Sequence, residues 1–353
     1  MTKIIIEESI TSTIKTGVGQ HTNMLNSLVP SIGLDYEIIS NKLIERIKNA
    51  TLKRVIYLIW LNTFFFFKLL LEKKGTIVLY TSFLPIIKLN KIKQIGVIHD
   101  LCIKIYPEQL SILNQINQKI LNFIISKNAD RILTVSDTVK KEVEKFYGIP
   151  ENKIFTVYNS FSLNPDINNQ TGLSKFGLNN EDMYIVSSSS LNPNKNIKCL
   201  IKAFELLSKK YPNCKLVLTG GKKHILNQYL NISNNKNIIF TGFVSSNDLV
   251  MLYKNSFCYA FPSIYEGFGI PIIDAQLLNV PVVCSDIPVF REVGKKSVLY
   301  SPLTPEGFSN NFEKLINNKS LSDELTKSGL ENIKRFSKTE IIFQFKKLLD
   351  LKD

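Results

Sequence analysis

Phe261-Pro262-Ser263-Ile264-Tyr265-Glu266-Gly267-Phe268-Gly269-Ile270-Pro271-Ile272-Ile273-Asp274-Ala275 is the stretch on which the fold turns. It starts at the end of an apolar run, Phe257 to Phe261, which predicts a buried strand. Gly267 and Gly269 bracket Phe268, and Pro271 suits the first turn of a helix, where a missing N–H costs nothing. The stretch therefore reads as strand, loop and helix, with Glu266 on the loop and Asp274 in the first helical turns. Glycines at such a junction let a ligand approach the backbone, and a helix N-terminus attracts negative charge. Two carboxylates beside that positive end suit a ligand that is polyhydroxylated and anionic at once. An ordinary βα turn with solvated or capping acids fits the same residues, and the turn alone does not separate the two readings.

Outward from this unit, strand and helix alternate along the chain. Strands are predicted at Lys3–Ile6, Tyr36–Ile39, Thr76–Tyr80, Gln94–His99, Arg131–Val135 and Ile154–Val157, with helices through Met24–Leu28, Leu113–Ser126 and Val139–Tyr147. Asn159 to Gly172, rich in Asn, Ser, Pro and Gly, reads as a linker. A second series follows it: strands at Met183–Ser187, Cys214–Thr219, Asn237–Thr241, Phe257–Phe261 and Val280–Cys284, with helices at Ile197–Lys209, Asp248–Tyr253 and Pro271–Leu278. The expectation is an α/β protein of two Rossmann-like domains, residues 1–165 and 166–336, with parallel sheets facing a central cleft. A chain of 353 residues suits two domains of ordinary size, and 44% hydrophobic content suits a soluble globular protein.

The formal charge is +14. Ile38 to Ile98 holds 11 basic residues against two acids, Glu45 and Glu72, and accounts for the surplus in the first half of the chain. Such a segment could face nucleic acid, an anionic membrane or solvent. No helix-turn-helix, zinc-finger or RNA-binding signature accompanies it, so nucleic acid is not expected as a partner. Five cysteines without CxxC spacing, most of them in apolar runs, read as reduced thiols and predict a cytoplasmic protein. The start, Lys3 to Glu8, is too short and too soon acidic for a signal peptide.

Within the basic segment, Val55 to Leu71 is almost wholly apolar, interrupted by Asn62, Thr63 and Lys68. A helix packed on the sheet explains the run. So does a surface helix dipping into a bilayer interface, with Lys53, Arg54, Lys73 and Lys74 at its ends. A true span is the third reading, although it would split the first sheet.

Glu266 and Asp274, separated by seven residues in a Glu-Gly-Phe-Gly-Ile-Pro setting after Pro262-Ser263, resemble the E-x7-E segment of retaining glycosyltransferases of family 4, which have the GT-B fold. Gly17-Val18-Gly19 resembles that family's N-terminal glycine loop, and Val97-Ile98-His99-Asp100-Leu101 its His-Asp segment. Ala129 to Ser136, Val157-Tyr158-Asn159, Leu191-Asn192-Pro193-Asn194-Lys195-Asn196, Phe240-Thr241-Gly242-Phe243-Val244 and Val280-Pro281-Val282-Val283 are similar to further family segments, in the same order. Phe336-Ser337-Lys338 and the amphipathic stretch to Leu351 look like the terminal helix, residues 337–353, that returns to the first domain.

The resemblance implies transfer of a hexose from a nucleoside-diphosphate sugar to a glycan acceptor with retention of configuration. A front-face displacement is expected, in which the departing phosphate helps deprotonate the acceptor. His99, with Asp100 beside it, is expected near the transferred sugar, although a hydrogen-bonded histidine and a capping Asp fit the same residues. Glu266 is expected to bind donor hydroxyls, and Asp274 the ribose diol, since a carboxylate accepts two hydroxyls at once. Gly267, Phe268, Gly269 and Ile270 complete that turn. Lys195 is the candidate cation for the leaving diphosphate, with Ser190 nearby; an ordinary surface lysine is the alternative, though a lysine there opposes the helix dipole. Gly17 and Gly19 would bring backbone N–H groups to phosphate or acceptor, and backbone groups from Gly242 through Phe243 to Val244 would face the base. No cofactor or metal is expected: there is no DxD pair, and Lys195 with helix N-termini would stand in for the cation.

Three positions depart from the family pattern. Asp274 stands where Glu is usual, Asn194 where Arg is usual, and Ser189-Ser190 where Gly and then Arg, Lys or Thr are common. Lys198, Lys222 or Arg291 could replace the missing cations. GDP-mannose is the first expectation for the donor, and a lipid-linked acceptor in O-antigen or capsule assembly, at the inner face of the plasma membrane, suits the basic segment. A sugar-nucleotide 2-epimerase on the same fold, or a non-catalytic nucleotide-sugar or glycan-binding protein, stays open beside this reading.

Overall fold

The computed structural model describes residues 2–9, 17–107, 112–166, 172–190, 192–221 and 234–351. The chain forms two compact units, Met1–Ser160 joined by Ser337–Asp353, and Phe161–Phe336. The first boundary falls earlier than the composition suggests, because Ser162 and Leu163 already bond to a helix of the second unit.

The first unit is built on six parallel strands: β1 (Lys3–Glu7), β2 (Asp35–Ile39), β3 (Ile77–Tyr80), β4 (Lys93–Ile98), β5 (Arg131–Thr134) and β6 (Ile154–Thr156), in the order β2-β1-β3-β4-β5-β6. Strands covered on both faces need continuous apolar runs, and Ile4-Ile5-Ile6 and Val78-Leu79 supply them, all fully buried. Ile341, Phe345 and Leu348 of the Lys338–Leu349 helix join the same core as Ile4, Leu79 and Val97. The last helix is thus an integral layer of the first unit.

Two elements differ from the sequence expectation here. Gly17 and Gly19 do not form a loop; the helix expected from Met24 begins at Gly17 and runs to Leu28, and neither glycine has a positive φ. The apolar run is continuously helical, as Ala50–Trp60, a π-helical turn at Leu61–Phe65, and Phe66–Leu71. Its buried residues are Tyr57, Leu61, Phe65 and Leu69, a stripe at every fourth position. In an α-helix such a stripe drifts by about 40° per step, and one wider turn keeps it over the sheet. The Tyr57 hydroxyl donates to the Glu7 carboxylate at the end of β1, and Phe65 meets Tyr80 edge-on with ring centroids 6.1 Å apart.

The second unit repeats the architecture with β7 (Tyr184–Ser188), β8 (Lys215–Thr219), β9 (Ile238–Gly242), β10 (Cys258–Phe261), β11 (Val282–Ser285) and β12 (Leu299–Ser301), all parallel, in the order β12-β11-β10-β7-β8-β9. The short strand β12 and the helices Pro305–Asn317 and Lys319–Asn332 were not expected; β12 is only three residues long and only partly apolar. Phe308, Phe312 and Leu315 of the first of these helices pack with Leu200, Phe204 and Leu207 of the Ile197–Ser208 helix under β7 and β8. All five cysteines are free, and Cys199, Cys214, Cys258 and Cys284 are buried, where loss of solvent pushes their thiols up.

Candidate functional site

In an open parallel sheet the strand order reverses at a switch point, and ligands bind outside the carboxyl ends of the strands there. In the second unit that point lies between β7 and β10: β8 and β9 extend from one side of β7, β10 to β12 from the other. The segments leaving the two strands are the ones singled out in the sequence, Ser189 to Asn196 after β7 and Pro262 to Gly269 after β10.

These two segments are fastened together. The Ile264 N–H donates to the Asn194 carbonyl at 2.9 Å, and the Asn194 amide donates to the Tyr265 carbonyl at 3.4 Å. Asn196 takes a left-handed conformation, φ 51°, which ends the Pro193–Lys195 turn and starts the Ile197–Ser208 helix. The turn directs the Lys195 ammonium onto the Glu266 carboxylate, which also accepts from the Ser263 hydroxyl at 2.7 Å. The same ammonium lies 5.9 Å from the centre of the Phe261 ring. Both side chains keep some surface, 18% for Lys195 and 14% for Glu266, so the pair is half-buried but reachable. Gly269 has φ 112°, and a Cβ there would stand 3.0 Å from the Phe290 ring, so glycine is required where the loop enters the Ile270–Leu277 helix. Phe268 and Ile270 are buried beneath this loop.

The neighbouring strand ends complete a rim. Ser190 is exposed just past β7, and the Ser189 N–H bonds to the Thr219 carbonyl at 3.1 Å. Gly220, φ 95°, was not singled out in the sequence, yet a Cβ there would fall 2.1 Å from the Ser189 carbonyl oxygen. Gly220 N–H in turn donates to the Gly242 carbonyl at 2.7 Å, Gly242 has φ 66°, and Phe243 beyond it is 72% exposed while Val244 is half-buried. Of the expected substitute cations, Arg291 is committed to a two-pronged bond with Asp286, Lys198 is exposed on the Ile197–Ser208 helix, and Lys222 lies outside the described residues.

Asp274 departs from its expected role. Its side chain is buried, Oδ1 accepts from the Ser162 N–H at 2.7 Å and the Leu163 N–H at 3.2 Å, and Oδ2 accepts from the Ser162 hydroxyl at 2.5 Å. Both oxygens are therefore engaged by the segment that enters the unit, not presented to a ribose. Burial raises its pKa to about 6 against the lowering effect of these three bonds.

In the first unit, His99 follows β4 and His21 projects from the Gly17–Leu28 helix. Their rings meet edge-on with centroids 5.0 Å apart. His99 keeps some surface as a residue, but its ring lies deep; burial lowers its pKa to about 4, offset in part by a bond to the Thr81 backbone. His21 is fully buried and its pKa is held well below the ordinary value, first by burial and then by His99. Both imidazoles are therefore neutral at pH 7. His99 Nε2 and both His21 ring nitrogens are buried without a partner among the described residues. Asp100 is exposed and its carboxylate accepts from the Cys102 N–H at 3.0 Å, which makes it a cap on the Cys102–Ile105 turn. Gly17 is exposed and Gly19 buried in the first turn of the same helix that carries His21. His21 was missed in the sequence because a lone histidine inside an amphipathic helix carries no pattern.

Two six-stranded parallel α/β units in tandem, with a cation and a carboxylate at one switch point, define the class of GT-B proteins. Residues 36–164 match the family described as Glycosyltransferase Family 4, and residues 169–332 match Glycosyl transferases group 1. The chain belongs to the family 4 glycosyltransferases. It is 31% identical over 207 residues to the O-antigen chain mannosyltransferase RfbU of Salmonella typhimurium, covering 58% of this chain and 55% of that protein. It is 29% identical over 220 residues to O-antigen chain mannosyltransferase B of Escherichia coli, covering 60% and 58%. The matches thus span little more than half the length of these relatives. The fold is that of sucrose-phosphate synthase from Thermosynechococcus elongatus, with a TM-score of 0.75 at 15% identity over 99% of this chain and 98% of that one.

Proposed function

We propose that the protein transfers a hexose, with mannose the first choice, from a nucleoside-diphosphate sugar to a lipid-linked glycan acceptor in O-antigen or capsule assembly. The observation that carries this reading is the Lys195–Glu266 pair at the β7/β10 switch point, joined to the Asn194 and Ser263 fastening that holds both groups in place. The similarity to two O-antigen mannosyltransferases supports the choice of sugar and pathway class.

As the glycosidic bond to the diphosphate breaks, negative charge grows on the departing phosphate. Lys195 supplies a fixed counter-charge there, with the exposed backbone past β7 beside it, in place of a metal ion. Glu266 accepts hydroxyls of the donor sugar and orients Lys195 when no donor is bound. Neutral His99 offers Nε2 to a sugar hydroxyl as a hydrogen-bonding group, not as a charged acid. Phe243, exposed past β9, gives the base an aromatic edge. Retention of configuration follows from attack on the face the phosphate leaves, the phosphate oxygen taking the acceptor proton. The protein acts in the cytoplasm, at the inner face of the membrane.

Incubation with a panel of nucleoside-diphosphate hexoses and a lipid-linked glycan, read by mass, tests transfer. The anomeric configuration of the product tests retention, and an unchanged rate after chelation tests metal independence. A second reading, a nucleotide-sugar-binding protein without turnover, draws on Asn194 and on the engagement of Asp274 away from the site. Donor binding by thermal shift with no product from any donor would favour it over transfer.

A further inference from the structure

Three sides of the first unit meet in one apolar surface that its core does not use. Of the apolar window within Thr51–Leu71 only 22% is buried, and Phe64, Phe67 and Leu71 on the side away from the Tyr57–Leu69 stripe are 74%, 65% and 89% exposed. Further exposed apolar residues lie beside the helix. The Ile86 N–H donates to Asn62 Oδ1 at 2.8 Å, which sets exposed Ile86 and Ile87 against the helix. The Asn128 amide then donates to the Pro85 carbonyl at 3.0 Å and the Ile86 carbonyl at 2.7 Å, which joins that loop to the Ile112–Asn128 helix and its exposed Phe123.

The polar groups in this surface are satisfied within the protein. Asn62 donates to the Leu58 carbonyl at 2.8 Å and the Thr63 hydroxyl to the Ile59 carbonyl at 2.7 Å, so neither needs water. Its charge has one sign. Residues 46–71 and 112–128 contain no acid; Arg46, Lys48, Lys53, Arg54, Lys68, Lys119 and Lys127 fall within them, and exposed Lys73 and Lys74 follow directly. Glu72, the one acid at the end of the helix, is held by Lys3. An exposed apolar patch of this extent marks an interaction site, and although Lys68 is paired with Glu37, the surplus of cations around the patch fits an anionic surface.

We propose that this face docks the protein on an anionic lipid bilayer, with the Ala50–Leu71 helix lying in the interface and Phe64, Phe67 and Leu71 among the acyl chains. The helix does not cross the bilayer, because its Tyr57–Leu69 stripe is core to the first unit and its withdrawal would leave the Glu7 carboxylate buried without its Tyr57 partner. The inference deepens the membrane location proposed above and needs no turnover for its test.

The full chain is mixed with vesicles of phosphatidylcholine alone or with phosphatidylglycerol, and sedimented. Binding to the mixed vesicles is expected, falling roughly tenfold or more in a Phe64→Glu/Phe67→Glu variant and falling in raised salt. Trp60, the only tryptophan, is expected to be quenched by brominated acyl chains in the wild type and not in the variant. Both positions are exposed, so the variant keeps the core, and transfer to a soluble acceptor is the readout that separates failure of docking from failure of the transferase reading. No sedimentation at low salt overturns the proposal. So does equal binding by the variant, which would mean contact elsewhere, or a wild-type dimer that the variant dissolves without any vesicle binding, which would make the face an interface between two copies.

Discussion

Asp274→Asn is the substitution that weighs the structural role of the opening stretch against the ligand role expected from resemblance. In the folded protein the carboxyl titrates at about 6 against an ordinary value of 3.8, and the cause is burial. A raised acid pKa means that the folded state holds a proton which the unfolded chain has released. The stability from this group is therefore fully present below about pH 3.8 and is lost as pH rises through about 6. The difference of 2.2 units at 1.36 kcal/mol per unit gives about 3 kcal/mol lost at pH 8. Asparagine removes that loss. Its carbonyl can still accept from the Ser162 and Leu163 N–H groups, and its amide can donate to the Ser162 hydroxyl, the same uncharged pattern that the protonated acid makes.

The variant should therefore be more stable than wild type by about 3 kcal/mol at pH 8, and the gap should close by about pH 4. Hydrogen exchange of the β10 and β11 amides reads the second unit alone. Nucleotide affinity should change by less than about twofold, because both oxygens are already engaged; a ribose contact would instead cost about tenfold. A variant that is less stable at pH 8, or that loses that much affinity, refutes the reasoning.

Lys195→Ala should lower kcat for transfer by about a hundredfold or more, as loss of one fixed group facing developing charge does elsewhere; an unaltered kcat removes Lys195 from the leaving-group site. Glu266→Ala should abolish transfer while circular dichroism is unchanged, and wild-type turnover would sink its assignment. Glu7, which burial raises to about 7 from 4.5, contributes stability that is lost as pH rises from about 4.5 to 7, so Glu7→Gln should raise the stability at pH 8, by an upper limit of about 3 kcal/mol, and flatten the pH dependence of the melting temperature. Gly269→Ala should destabilise the second unit by about 1–3 kcal/mol, since it meets both a positive φ and the Phe290 ring; urea unfolding midpoints measure it.

Alternation of apolar strands with amphipathic helices was legible in the sequence because both faces of each sheet are covered, which leaves runs such as Ile4-Ile5-Ile6 and Cys258 to Phe261 with no polar interruption. Glu266 was legible because its loop is local: strand end, glycines and helix start lie within a few residues of each other. What could not be read depends on contacts between distant residues. Ser162 and Leu163 carry no pattern that points to Asp274, more than 110 positions away. His21 meets His99 only because the Gly17–Leu28 helix lies beside the end of β4. The apolar run from Val55 to Leu71 reads alike whether packed or exposed, and one stripe is packed while the rest is not.

Two positions where this chain departs from the family pattern share a physical consequence. Arg at 194 or Glu at 274 would extend a longer side chain toward a ligand. Asn194 instead spends its side-chain amide on the Glu266 loop, at the Tyr265 carbonyl, and Asp274 spends both oxygens on Ser162 and Leu163. Each exchange trades a group directed outward for bonds that fix the backbone around the switch point. The remaining pair, Lys195 and Glu266, is accordingly held in a frame that needs little further ordering when a donor arrives, and a preorganised site recovers in lower ordering cost part of what it gives up in contacts. On this view the shortened carboxylate is not a weakened copy of a ribose ligand. It is a fastening that positions the Ile270–Leu277 helix, and with it Glu266, from behind.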